Sequence, residues 1–230
     1  VHSEGGGSGI DAATIEMKVD GVTVAHGYAD PTVSFTPAGL GEGTHTVTVD
    51  VSDNAGNAAT QASWTFKVDT VKPTLSGTPM GWATVIKPDV VITAVEAGSG
   101  LSTGTETFTL VGGTSGDITA LGSGSWNGLV YTFVPTGNLN EDEQYTVTMS
   151  GLADAAGNVA DTLTFTFDVD VQAPTISNLA PANDTWVTTA TPTISAQVHS
   201  EVGGSGIDAA TIVMKVDGAT VSPVAYNSGT

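Results

Sequence analysis

Apolar and polar residues alternate with period two along most of the chain. In HTVTVDV (45–51), His45, Val47, Val49 and Val51 fall on one face, and Thr46, Thr48 and Asp50 fall on the other. YTVTM (145–149) groups Tyr145, Val147 and Met149. LTFTFDVD (163–170) sets Leu163, Phe165, Phe167 and Val169 inward against Thr164, Thr166, Asp168 and Asp170. WTFKVD (64–69) repeats this with Trp64, Phe66 and Val68 inward. Period two is the mark of a half-buried strand. No stretch keeps the i, i+3, i+4 spacing of a helix.

One apolar face and one Thr/Asp face predict antiparallel sheets with one dry side, and two such sheets stack into a sandwich. Turns every ~8–12 residues favour an Ig-like sandwich over a propeller. Further strands are predicted at KPTLS (72–76), PDVVITAV (88–95), TETFTLVGG (105–113), GDITALG (116–122) and LVYTFVP (129–135). GSGSWNG (122–128) reads as a loop, which leaves Trp126 the aromatic most open to solvent.

The chain also repeats itself. VHSEGGGSGIDAATIEMKVDG at residues 1–21 returns as VHSEVGGSGIDAATIVMKVDG at 198–218. Up to Val24 and Val221 the copies differ only at Gly5/Val202, Glu16/Val213 and Val22/Ala219. A fainter repeat lies inside it: DTVKPTLS (69–76) with DVQAPTIS (170–177), DNAGN (53–57) with DAAGN (154–158), and Trp82 before Pro88 as Trp186 before Pro192. These marks recur at about 100 residues, the size of one sandwich domain.

The fold class expected is therefore all-β: tandem Ig-like antiparallel β-sandwiches, one complete and two partial. Residues 1–70 are a type 1 sandwich lacking its first strands. Residues 71–171 are a complete type 2 sandwich. Residues 172–230 begin a second type 1 sandwich. Both ends of the sequence are expected to cut through a domain of a longer chain. The alternative is that residues 172–230 donate strands to the first domain of a neighbour, giving a head-to-tail fibre.

Composition narrows the function. The chain is 40% hydrophobic, 6% aromatic and 13% charged, a mixture suited to strands and turns. Its 24 acidic residues stand against five lysines, for a net charge of −19. Such a chain repels nucleic acid and anionic membranes and attracts cations. There are no cysteines, so disulfides, thiolate metal sites and cysteine nucleophiles are excluded. No stretch approaches the ~20 apolar residues that cross a bilayer. No membrane insertion is expected in this segment.

SGIDAATIEMKVDG, EGTHTVTVDVSDNAGNAA and FKVDTVKPTLS resemble bacterial Ig-like domains found in tandem on adhesins, S-layer proteins and other surface fibres. YTFVPTGNLNEDEQYTVTMSGLADAAGNVADTLTFTFDVD is similar to the Ig-like domains of S-layer proteins. The resemblance implies an extracellular or cell-surface, bacterial or archaeal, non-enzymatic structural segment. Its implied partners are further copies of the same repeat. The other readings are a glycan- or protein-binding module, or accessory domains of a larger carbohydrate-active enzyme. Tyr145 fits a tyrosine-corner position, where the hydroxyl bonds upstream backbone. The first unit has His45 at the aligned place.

Candidate chemistry is sparse. The Asp-x-x-Gly-Asn turns, with Asp53 and Asp154, read first as hairpin turns in which Asp accepts backbone N–H bonds. The second reading is calcium. Asp53 and Asp154 share an end of their sandwiches with the loop carrying Glu4, Glu96 and Glu201, and the preceding domain ends in Asp69 or Asp170. Hard oxygen ligands from three loops suit Ca²⁺, an arrangement that resembles the calcium joints of cadherins and some bacterial adhesins. The candidate metal ligands are thus Glu4, Asp53, Asp69, Glu96, Asp154, Asp170 and Glu201. Glu141, Asp142 and Glu143 in NEDEQ read as a solvated charged turn. His2 and His199 read as surface loop residues, with a zinc pair as the sharper alternative. Trp64 is expected in the core, and Trp82 and Trp186 as plugs over a sandwich end or against the neighbouring domain. There is no nucleophile elbow, and the Gly-rich runs lack the lysine and helix of a phosphate loop, so no catalytic residue is assigned.

Overall fold

The computed structural model describes residues 7–222 and 224–227. It is a succession of strands with two short 3-10 turns. The first group is β1 (Ile10–Val19), β2 (Val22–Thr23), β3 (Gly27–Ala29), β4 (Thr32–Ser34), β5 (Gly43–Asp53) and β6 (Ala62–Val68). The next runs β7 (Thr74–Thr78), β8 (Gly81–Ala83), β9 (Val90–Val95), β10 (Leu101–Ser102), β11 (Thr107–Gly112) and β12 (Gly116–Asp117). It continues with β13 (Gly122–Asn127), β14 (Val130–Pro135), β15 (Gln144–Ser150), β16 (Ala153–Asp154) and β17 (Leu163–Val169). The last stretch holds β18 (Thr175–Ala180), β19 (Ser195–His199), β20 (Lys215–Val216) and β21 (Ala219–Thr220). The architecture is all-β, in Ig-like sheets whose strands pair antiparallel except for β8 with β17.

Contacts divide the chain into two compact units. One holds Val1–Thr74, Val95–Thr105 and Leu152–Ala160; the other holds Leu75–Ala94, Glu106–Gly151 and Asp161–Thr230.

In the first unit the sheet order is β2-β1-β5-β6. A register shift between Asp11 and Glu16 bends β1 along β5. The apolar face carries Ile15, Met17, Val47 and Val51, all buried, together with buried His45. Asp20 and Gly21 close the β1–β2 hairpin with φ of 52° and 78°, the two positive angles of a tight hairpin turn.

In the second unit two sheets share one core. One has the order β12-β11-β15-β17-β8 and the other β13-β14-β9-β7. The first supplies Leu110, Tyr145, Val147, Met149, Phe165, Phe167 and Val169; the second supplies Val90, Ile92, Tyr131 and Phe133. Phe108 stacks on Phe133 at a centroid distance of 4.8 Å. β8 joins β17 in parallel, pairing Trp82 with Asp168.

Several expectations are corrected here. GSGSWNG is strand β13 rather than a loop: Gly122 and Gly124 lie over the rings of Phe133 and Tyr131, where a Cβ would overlap them. Trp126, on the same face, packs half-buried against the core. GDITALG is not one strand; β12 ends at Asp117 and a 3-10 turn spans Thr119–Leu121. Trp64 and Phe66 do face the side of His45 and Val47, yet they remain 47% and 39% exposed. β6 is an edge strand, so its apolar side lacks the cover that its neighbours have. Trp82 is 43% exposed and Trp186 fully exposed, so Trp186 plugs nothing within its unit.

The two repeat copies fold differently. Ile10–Val19 is one long strand because β5 pairs with it. The matching stretch at 207–216, which differs only in Val213 for Glu16, forms a 3-10 turn at Ala209–Thr211 and a two-residue strand. Among the described residues no counterpart of β5 follows it, and strand formation depends on its partner.

Candidate metal centre

Asp69, Glu96 and Asp154 converge within the first unit, with one carboxylate oxygen from each within 4.8 Å of the others. Asp69 follows β6, Glu96 follows β9, and Asp154 ends β16. Asp154 is 2% exposed; the other two are half-buried.

Backbone and amide donors organise the cluster. Ser99 N–H donates to Asp69 Oδ2 at 2.6 Å and Val71 N–H to Oδ1 at 3.2 Å. Gly98 and Gly100 N–H groups donate to Glu96 Oε1 at 2.7 and 3.3 Å. The Asn158 backbone and side chain both donate to Asp154 at 2.8 Å, and the same Asn158 amide donates to the Asp69 carbonyl at 2.9 Å. Gly98 is required for the approach, because a Cβ there would overlap the Asp69 carboxylate.

The bonds from Ser99 hold Asp69 below the usual aspartate range. For Asp154, burial pushes the carboxyl up, as does the neighbouring Asp69 charge. The Asn158 and Gly157 donors outweigh both and leave it lowered. Two ionised carboxylates are thus held side by side, with hard oxygen donors from three loops, the donor set a calcium ion takes.

The remaining candidates lie elsewhere. Asp53 accepts from Ala55 and Asn57 within its own turn, and the Asn57 bonds hold it at about 2. Glu4 lies outside the described residues. Asp170 repeats the Asp69 pattern in the second unit: Ser205 N–H donates to its Oδ2 at 2.7 Å and lowers its pKa, with Glu201 alongside. No third acidic partner joins that pair among the described residues. His2 is outside the described residues; His199 meets the Ser177 hydroxyl at 3.1 Å.

Sequence reasoning missed Glu143. Read as part of a solvated turn, it is 6% exposed. It accepts at 2.6 Å from Thr114 N–H, Ser115 N–H and the Ser115 hydroxyl, and at 3.0 Å from Asn140 and Tyr145. Burial alone would raise it; the Ser115, Thr114 and Tyr145 donors reverse this and bring it to about 2. The signal was Tyr145 two residues on: the period-two alternation of β15, carried one residue back from its start at Gln144, sets Glu143 on the side of Tyr145.

This is a sandwich scaffold whose polar groups serve turns, corners and one acidic cluster. Residues 6–70 match a profile described as a bacterial Ig-like domain, and residues 69–169 match a second profile of the same description. The chain thus carries two bacterial Ig-like domains in tandem. Among solved structures it is similar to the fibronectin(III)-like modules of CbhA from Clostridium thermocellum. The identity there is 14%, over 74% of this chain and 81% of that one, with a TM-score of 0.36. It is also similar to the ectodomain of human desmocollin-1, at 12% identity over 71% of this chain and 31% of that one, with a TM-score of 0.30. No curated protein matches it. Among the described residues, no helix is long and apolar enough to cross a membrane.

Proposed function

We propose that the chain is a non-catalytic structural segment of a secreted or cell-surface fibrous protein: an adhesin stalk, an S-layer component or an extracellular filament. The supporting observation is the tandem itself. Two dissimilar Ig-like modules match in ranges that meet at residues 69–70. Pro73 stiffens the start of the second module by fixing φ. The domain boundaries that go with this reading are 1–70, 71–171 and 172–230, and the partners are further copies of the repeat. Alternating dissimilar modules also limits strand exchange between neighbours. Protease treatment of intact producing cells tests the location: fragments of this chain should be released. Full protection of the chain in intact cells overturns the reading. A catalytic domain in the same reading frame would favour an accessory role instead.

A second reading concerns the acidic cluster, which we infer takes Ca²⁺. It is supported by the proximity of Asp69, Glu96 and Asp154. A cation there would offset the repulsion between two fixed carboxylates. Ligand linkage then raises the melting temperature as Ca²⁺ is added, and EDTA reverses the rise. No shift at millimolar Ca²⁺, or an equal shift in Glu96→Gln, leaves the turn reading alone standing.

A further inference from the structure

His45 has an acceptor on each ring nitrogen. Nδ1 lies 2.7 Å from Asp20 Oδ2, and Nε2 lies 2.9 Å from the Gly41 carbonyl oxygen. A carbonyl oxygen only accepts, and so does an ionised carboxylate. Both contacts are hydrogen bonds only when both nitrogens carry protons, so the geometry calls for an imidazolium. Asp20 is itself fixed to β5, accepting from Thr46 N–H at 2.8 Å through Oδ1. Its own N–H donates to the Thr46 carbonyl at 2.8 Å. The ring thus ties the β1–β2 turn and the loop at Gly41 to β5, with Phe66 against its face at 5.5 Å.

The other charged groups around the ring are engaged elsewhere or point away. Glu42, beside Gly41, accepts from Thr70. Lys67 follows Phe66 on β6 and so alternates to the opposite face, as do Glu16 and Lys18 on β1, which pair with each other. In the stretch between β2 and β5, His26 meets the Val24 carbonyl and Asp30 accepts from the Tyr28 hydroxyl. Asp20 is the carboxylate that answers the ring.

We propose that Asp20, His45 and Gly41 form a proton-operated latch on the first sandwich, closed while the imidazole carries both protons and released as pH rises. The second sandwich holds the equivalent place with Tyr145, a phenol that keeps its proton across the same pH range. The array would therefore loosen one module type and not the other.

The sign follows from the two partners. The Asp20 bond and the Gly41 bond raise His45 above its ordinary value of 6.5; the bond to His45 lowers Asp20 below 3.8. The histidine contribution is complete below pH 6.5 and lost as pH climbs through the raised value. The aspartate contribution is complete above pH 3.8 and lost as pH falls through the lowered one. The latch is tightest between these limits.

Imidazole nitrogen NMR of the full chain at about pH 6, below the ordinary histidine midpoint, tests the protonation. Both His45 nitrogens should carry hydrogen, with a titration midpoint above that of an ordinary histidine. Hydrogen exchange, corrected for its intrinsic pH dependence, should speed up at alkaline pH in peptides covering the Asp20 turn and the Gly41 loop. Peptides around Tyr145 should not change. His45→Gln should remove the pH response, and His26→Gln should keep it. If His45→Gln does not fold, Asp20→Asn serves, and should lower the His45 midpoint. A neutral His45 ring in the NMR experiment, or an unchanged pH response in His45→Gln or Asp20→Asn, overturns the proposal.

Discussion

His45 and Tyr145 occupy the same place in their two sheets. Each faces a phenylalanine on the next strand, Phe66 and Phe167 respectively, with ring centroids 5.5 Å apart in both pairs. Each then turns a polar atom back to the chain just upstream. Tyr145 accepts from Asn140 N–H at 2.7 Å, five residues before it, and His45 Nε2 donates to Gly41, four residues before it. One position thus carries the same corner in two chemistries.

The tyrosine corner should be costly to remove. Tyr145 is fully buried, and its hydroxyl also donates to Glu143 at 3.0 Å. Tyr145→Phe keeps the ring packing but leaves the Asn140 N–H without its partner and takes one donor from the Glu143 carboxylate. We expect a loss of about 1–3 kcal/mol from the second sandwich, read by denaturant unfolding. Hydrogen exchange should rise first in the turn around Asn140.

Glu143 should set the acid limit of the same module. Its folded value of about 2 lies below the ordinary 4.5. A depressed carboxylate contributes stability above its unfolded value and loses it as pH falls through the folded one. Stability of the second sandwich should therefore fall between about pH 4.5 and pH 2. Glu143→Gln should flatten that fall and lower the melting temperature at neutral pH, since an amide nitrogen then faces donors. Glu141→Gln should do neither.

Close packing makes a further prediction at Gly77. It is buried in β7, and a Cβ built there would overlap the ring of Phe165. Phe165 belongs to the shared core and has little room to shift. Gly77→Ala should cost about 1–3 kcal/mol through overpacking. Gly113→Ala, which meets only a backbone oxygen at 3.8 Å, should be mild by comparison. Thermal unfolding of both variants checks the contrast.

Period-two patterning was enough to find β5, β15 and β17 and to assign their inward faces, because alternation records which side of a strand is dry. It does not record whether that side is covered. Trp64 alternates inward as Phe165 does, yet β6 is an edge and Phe165 sits in a closed core. Patterning also failed at β13, where glycines replace the apolar residues because Phe133 and Tyr131 fill their space from the neighbouring strand. The convergence of Asp69, Glu96 and Asp154 was legible from the order of loops along the repeat. The burial of Glu143 was not, since a run of three acidic residues looks alike whether its last member faces water or five donors.

The two Asp-x-x-Gly-Asn turns separate the turn from the metal reading. Among the described residues Asn57 serves its own turn, donating to Asp53 at 2.8 Å. Asn158 makes the same bonds to Asp154 and adds one to the Asp69 carbonyl. Asn158→Ala therefore removes the donor that holds two like charges side by side, whereas Asn57→Ala removes a local bond. Asn158→Ala should lower the melting temperature of the full chain more than Asn57→Ala does in EDTA. Added Ca²⁺ should narrow that difference, because a cation takes over the neutralising role at Asp69 and Asp154. If Ca²⁺ shifts neither variant, the cluster acts only through its hydrogen bonds, and both turns are structural alone.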